Sequence, residues 1–223
     1  MWFKKRKKEA EITNIQSTVD YTMLDPRATQ KDLSDCCNIA IKNKYFGVCV
    51  NSHNVSFVKR YLAQKAAKDI SVISVVGFPL GAIPLAVKVS EAKHAIADGA
   101  DEIDVVINIG EAKQGNFDYI KNELSRIVRV SRGRIVKAII ETCYFDRTEI
   151  EKLCKACLRA KVDFIKTSTG YGIGGATPEV VACIAAVVAD KCNIKASGGI
   201  RTAKQAEEFL RAGACRIGTS SEI

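Results

Sequence analysis

Phe164-Ile165-Lys166-Thr167-Ser168-Thr169-Gly170 begins as an apolar strand and meets a lysine before it reaches its glycine. Side chains alternate along a strand, so Phe164, Lys166 and Ser168 share one face and Ile165 and Thr167 the other. Lysine is rarely buried without a partner or a purpose. An amine held in a partly desolvated site loses proton affinity and becomes a usable nucleophile. The bland alternative is an edge-strand lysine that snorkels to water. The neighbouring strands decide between the two.

Working outward, the same unit recurs. Strand patterns are expected around 18–20, at 47–51, 70–79, 102–108, 135–142, 164–170 and 194–199, and at 216–221. Helical patterns fill the gaps. Thr29 caps one whose apolar stripe includes Leu33, Cys37 and Ile41. Others are expected at 55–68, 87–98, 118–131 and 148–160. Thr177-Pro178 opens another with a cap and a proline at its first position. Thr202 with Gln205 forms a capping box for the last, which stops at Gly213, as the 87–98 helix stops at Gly99. Gly99-Ala100-Asp101-Glu102-Ile103 and Gly213-Ala214-Cys215-Arg216-Ile217 echo each other at helix-to-strand turns. Eight strands alternating with helices, at spacings of roughly 22 to 34 residues, predict an α/β fold. A closed (β/α)8 TIM barrel in a single domain is the expectation, and a doubly wound open sheet is the structural alternative.

The 223 residues are 47% hydrophobic, enough for a sizeable core. No apolar run reaches the length of a membrane span. The formal charge is +9, of which Lys4, Lys5, Arg6, Lys7 and Lys8 supply five, leaving 9 − 5 = +4 for the rest. Residues 1–11 therefore read as a basic tail and residues 12–223 as the barrel. No apolar segment of secretory type follows the tail. Nine cysteines, an odd number scattered through apolar patterns, read as reduced thiols in a cytoplasmic protein. Cys154 and Cys157 form one CxxC inside a helical pattern, without a second pair, and His53 and His94 are too few for a histidine site. Neither a metal nor a cofactor is expected.

Barrel catalysis uses the C-terminal ends of the strands. Those ends are polar in this chain: Asp104 and Asn108 on strand four, Lys137 and Glu141 on five, Lys166 on six, Lys195 on seven. Two lysines and an aspartate converging on one mouth point to catalysis. Gly198-Gly199 and Gly218-Thr219-Ser220-Ser221 close strands seven and eight, where barrels often bind phosphate through backbone N–H groups. Gly170-Tyr171-Gly172-Ile173-Gly174-Gly175 satisfies GxGxxG and raises a dinucleotide site. The acid expected at the end of the next strand is missing, because Lys195-Ala196-Ser197 stands there.

Taken together these stretches resemble the deoxyribose-phosphate aldolases. The resemblance is carried by 162–170, by Val75-Val76-Gly77-Phe78-Pro79-Leu80-Gly81-Ala82, by Gly99-Ala100-Asp101-Glu102-Ile103-Asp104, by Ile139-Ile140-Glu141-Thr142-Cys143 and by Lys195-Ala196-Ser197-Gly198-Gly199-Ile200-Arg201-Thr202. They come in family order and cover nearly all the chain beyond the tail. The resemblance implies a class I aldolase that interconverts 2-deoxy-D-ribose 5-phosphate with D-glyceraldehyde 3-phosphate and acetaldehyde, in deoxynucleoside catabolism. It implies Lys166 as the Schiff-base lysine, Lys195 as the second catalytic lysine and Asp104 as the proton-relay aspartate. Gly170, Gly198, Gly199, Ser220 and Ser221 fall where the family binds substrate and phosphate. It also implies a small sugar-phosphate substrate, no nucleic-acid or membrane partner, and a homodimer or larger homo-oligomer. The chain departs from the family pattern at Tyr21, Asp25, Ile83 and Leu85, and in its short C-terminal end after Ser221. Two rival readings stand beside this one: a Schiff-base barrel aldolase for a different sugar phosphate, and a basic barrel that binds nucleic acid or an anionic surface.

Overall fold

The computed structural model describes residues 14–223; the basic tail expected at 1–11 lies outside them. Eight parallel strands pair in sequence order and close on themselves, with β1 against β8. They are β1 (Val19–Met23), β2 (Gly47–Val50), β3 (Ser71–Val76), β4 (Glu102–Val106), β5 (Ile135–Ile139), β6 (Phe164–Lys166), β7 (Asn193–Ser197) and β8 (Arg216–Thr219). The helices between them are α1 (Gln30–Asn43), α2 (Val55–Gln64), α3 (Leu85–Ala97), the short α4 (Ile109–Lys113) with α5 (Phe117–Val130), α6 (Arg147–Ala160), α7 (Pro178–Val188) and α8 (Ala203–Ala212). The closed barrel replaces the open-sheet alternative.

The local signals act as expected. Thr29 and Thr202 close capping boxes with Asp32 and Gln205, and Thr177 caps α7 ahead of Pro178. Gly213 ends α8 at φ 116°, a left-handed position that glycine tolerates without steric cost. The strands, however, are shorter than their sequence patterns. β6 ends at Lys166, and Ser168 belongs to the loop rather than to an extended face. Thr18 lies in a 3-10 turn, Gln16–Thr18, and β1 runs onward to Met23. The polar strand ends look extended in sequence but turn into the loops that build the mouth.

Two apolar volumes hold the barrel. The main core lies between sheet and helices and includes Val48, Val72, Ile103, Val136, Ile165, Ile194 and Ile217 from the outward faces of the strands. Each such fully buried side chain contributes about 1.5–3 kcal/mol. A smaller cluster, Leu24, Cys49, Ile73 and Val75 with Phe78 against it, fills the inside on the β2–β3 side. The rest of the interior holds the charged side chains, with Val106, Ile139 and Phe164 among them, and that asymmetry positions the site.

Candidate active site

Register sets the site. Lys166 pairs with Lys195 across β6 and β7, and Asp104 with Lys137 across β4 and β5. Period-two alternation turns all four side chains into the barrel. The Lys166 Nζ lies 3.0 Å and the Lys195 Nζ 2.8 Å from the same oxygen, Asp104 Oδ2. Lys137 donates to the other oxygen, Oδ1, at 2.7 Å. Asp104, Lys137 and Lys195 are fully buried, and Lys166 is 3% exposed.

The network continues below this layer. Lys195 also pairs with Asp20, and Lys137 with Glu102. Arg216 reaches Asp20 at 2.9 Å and Glu102 at 3.3 Å, and its guanidinium stacks on the Phe46 ring at 3.3 Å. Asp20, Glu102 and Asp104 thus face Lys137, Lys166, Lys195 and Arg216. Three acids against four bases leave one positive charge over.

Burial alone pushes the Asp104 carboxyl up, but Lys137, Lys195 and Lys166 outweigh it and hold the group well below the usual carboxylate range. Burial likewise pushes Asp20 up, yet Lys195, Arg216 and Lys137 bring it down to about 2. For Lys195, burial disfavours the cation, and the Asp104 and Asp20 carboxylates overcome this and raise it above its ordinary value. Asp104 therefore rests as an anion and Lys195 as a cation at neutral pH. Lys166 reaches solvent, lining a pocket of 440 Å³ at the C-terminal ends of the strands.

Gly170, Gly198, Gly199 and Ser220 line the same pocket, with Met23, Leu24 and Tyr171. Gly198 has φ 90°, and a side chain there meets the Gly175 Cα at 3.0 Å and the Ser168 Cβ at 3.2 Å. Only glycine lets the β6 and β7 exit loops approach so closely. Thr219 Oγ1 donates to the Ile200 carbonyl at 2.7 Å and accepts from the Ser221 N–H at 2.9 Å, tying the β8 exit to the β7 loop. Ser221 itself is not among the residues that line the pocket. Of the departures from the family pattern, Asp25 stands at the rim, paired with Arg27.

Two strand-end groups do other work. Asn108 Oδ1 caps α4 by accepting from the Glu111 N–H at 3.1 Å. Glu141 sits past the end of β5 at φ 48°, ψ 65°, a conformation that costs a non-glycine residue about 1–3 kcal/mol. Its carboxylate turns to the β6 loop and accepts from the Thr169 N–H and hydroxyl. Glu141 therefore does not join Lys137. The GxGxxG glycines lie in a loop folded back on the β7 exit, where the Ala176 N–H donates to the Ser197 carbonyl at 3.1 Å. α7 starts only at Pro178, so this loop does not open a helix in the dinucleotide-binding manner. Cys154 and Cys157 are buried on the inner face of α6, and burial pushes the Cys154 thiol up to about 12.

Glu102, Asp20 and Arg216 are missing from the sequence reading as partners. The available signal was alternation: Glu102 shares a face with Asp104, and Arg216 with Gly218, so each charge points inward from a strand whose alternate residues are apolar.

Residues 15–221 match the model of the DeoC/LacD family aldolases. A deoxyribose-phosphate aldolase of Thermococcus kodakarensis is 50% identical over 211 residues, covering 94% of each chain. That of Thermococcus gammatolerans is 49% identical over 212 residues, again 94% of each. Among solved structures, the deoxyribose phosphate aldolase of Aeropyrum pernix, described as a unique tetramer, superimposes with TM-score 0.86 at 32% identity, covering 93% of this chain and 87% of its own. On the match of nearly the whole barrel and on these identities, the chain belongs to the DeoC/LacD aldolase family and is a carbon–carbon lyase.

Proposed function

We propose that this chain reversibly cleaves 2-deoxy-D-ribose 5-phosphate to D-glyceraldehyde 3-phosphate and acetaldehyde through a Schiff base on Lys166. The observation that carries the reading is the convergence of Lys166 and Lys195 on one oxygen of Asp104, at the foot of a pocket closed by the β7 and β8 exit loops. The neutral Lys166 amine attacks the substrate aldehyde, and loss of water gives an iminium. The C3 hydroxyl then loses its proton and the C2–C3 bond breaks. Its electron pair flows to the iminium, leaving an enamine on Lys166 and releasing glyceraldehyde phosphate. Protonation of the enamine carbon and hydrolysis free acetaldehyde and return the amine. The iminium is the electron sink, so the route calls for no metal or cofactor.

Lys195 and Asp104 are the candidates for proton transfer, Asp104 acting through Lys195 and a water molecule. Gly170, Gly198, Gly199, Ser220 and Ser221 are the candidates for holding the sugar phosphate through backbone N–H and hydroxyl donors. This reading places the enzyme in deoxynucleoside breakdown. It also suggests a homo-oligomer, supported by the tetrameric Aeropyrum pernix structure. Nine cysteines, an odd number scattered through the chain, support a reducing, cytoplasmic location; among the described residues no helix is long and apolar enough to cross a membrane.

The test is direct. The purified chain should release acetaldehyde from 2-deoxyribose 5-phosphate, and Lys166→Ala should lose essentially all turnover. Cleavage of another sugar phosphate in preference to this one overturns the substrate assignment.

A further inference from the structure

Several exit loops meet at one tyrosine on the rim of the pocket. Tyr171 follows Gly170 in the β6–α7 loop, and its hydroxyl donates to the Leu24 carbonyl at 3.0 Å. Leu24 belongs to the β1–α1 loop, 147 residues away in the chain, and both residues line the pocket. The Tyr171 ring meets the Phe78 ring of the β3–α3 loop edge to face, with centroids 5.3 Å apart and planes at 88°. Tyr171 is 54% exposed, so water could serve its hydroxyl fully. The hydroxyl instead bonds a backbone carbonyl on a different loop.

The tyrosine is held from below as well. Its N–H donates to Thr169 Oγ1 at 3.0 Å. The Thr169 hydroxyl donates in turn to Glu141, whose carboxylate also takes the Thr169 N–H at 3.2 and 3.3 Å. Gly170 makes the turn at φ 86°. A chain of hydrogen bonds thus runs from the exit of β5, through the loop that follows Lys166, to the exit of β1. Burial and the nearby Asp25 charge raise the phenol above its ordinary pKa, which keeps it a donor throughout the neutral range.

We propose that Tyr171 is a specificity-determining residue, and that its bond to Leu24 forms a strap that limits the length of the acceptor aldehyde admitted beside Lys166. Glu141 is the positioning residue that sets the loop bearing the strap. The inference rests on the Schiff-base reading above: the acceptor must lie between the Lys166 amine and the β7–β8 exit loops, and Tyr171 and Leu24 wall that space. Acceptors up to the length of glyceraldehyde 3-phosphate fit under the strap. Aliphatic aldehydes longer than that require it to open, at the cost of the bond and of the Phe78 contact.

The experiment uses the full chain and adds acetaldehyde to propanal or nonanal as acceptor. Tyr171→Phe keeps the ring on Phe78 and removes only the bond; Tyr171→Ala removes both. Tyr171→Phe should raise the nonanal-to-propanal ratio of kcat/KM by about twofold to tenfold, the range expected for one hydrogen bond. Tyr171→Ala should raise it further. For 2-deoxyribose 5-phosphate, Tyr171→Phe should raise KM and leave kcat within about twofold, the pattern of a pocket wall loosened away from the reacting carbons. A purely structural role would lower kcat for every aldehyde alike and leave the ratio unchanged. Borohydride trapping of acetaldehyde on Lys166, run on wild type and both variants, reports the amine separately. Intact trapping with an unchanged ratio and KM overturns the strap alone. Failure of the wild type to trap overturns the Schiff-base reading and this inference with it.

Discussion

Lys166 and Lys195 donate to the same oxygen of Asp104, at 3.0 and 2.8 Å, from directly paired positions on β6 and β7. Two lysines can stand that close only because one carboxylate oxygen lies between them and Lys137 occupies the other. Asp104→Asn keeps the shape and removes the charge. It should lower kcat about 10²–10⁴-fold, the range for loss of general acid–base help. It should also destabilise the fold by about 3–5 kcal/mol, because buried cations lose their partner. Turnover and urea melts on the same preparation check both; unchanged turnover at reduced stability would make Asp104 structural only.

Phosphate recognition should depend on the β8 exit. Ser220 lines the pocket beside Gly198 and Gly199. Ser220→Asp should repel a phosphate and raise KM for 2-deoxyribose 5-phosphate far more than for free 2-deoxyribose. In the unaltered enzyme the free sugar should lose about 2–4 kcal/mol of transition-state binding, equivalent to one or two hydrogen bonds to a charged group. Equal effects of the substitution on both sugars would move the phosphate elsewhere, with Arg201 the next candidate.

Acid stability should report the buried network. The Asp20 pKa is depressed from 3.8 to about 2 in the folded state. A depressed carboxylate stabilises the fold above its unfolded pKa and loses that contribution as pH falls through the folded one. Between pH 4 and 2 the chain should therefore lose on the order of 2 kcal/mol through Asp20, and more through Asp104, which is also held low. Asp20→Asn should flatten this limb of a stability-versus-pH curve. Parallel curves for the two proteins would contradict the assignment.

A second buried ion pair lies outside the barrel interior. Lys88 of α3 donates to Glu123 of α5 and to the Val106 carbonyl, each at 2.7 Å, and Glu123 accepts the Asn108 N–H at 3.0 Å. Both side chains are fully buried, and the pair braces the exit of β4, two residues beyond Asp104. Burial pushes Lys88 down and Glu123 up, against their mutual attraction. Lys88→Met should cost about 3–5 kcal/mol by leaving Glu123 unpaired, and the double variant with Glu123→Leu should recover much of it. Denaturant melts of the two variants decide this; a double variant no better than the single one would show that the pair itself is the stabilising element.

Much of this was legible in the sequence because the barrel writes its period into the chain. Capped helices, glycine stops and apolar strands recur, and Lys166, Lys195 and Asp104 stand at strand ends where an inward face can be counted. The partners were harder to read. Arg216 and Glu102 lie on β8 and β4, and their meeting depends on barrel closure and tilt, which no local pattern expresses. Glu141 shares a strand-face pattern with Lys137, yet its left-handed backbone turns it to Thr169 instead. The Tyr171–Leu24 bond joins two loops, and loop contacts have no periodicity to follow.

The central claim is that Lys166 is the nucleophile, and one measurement tests it most directly. Acetaldehyde and borohydride should convert the iminium into a stable ethyl adduct on the enzyme. Peptide mapping should place that adduct on Lys166, and Lys166→Ala should leave the protein unlabelled. An adduct on Lys195 alone, or none on a folded and active enzyme, would contradict the account.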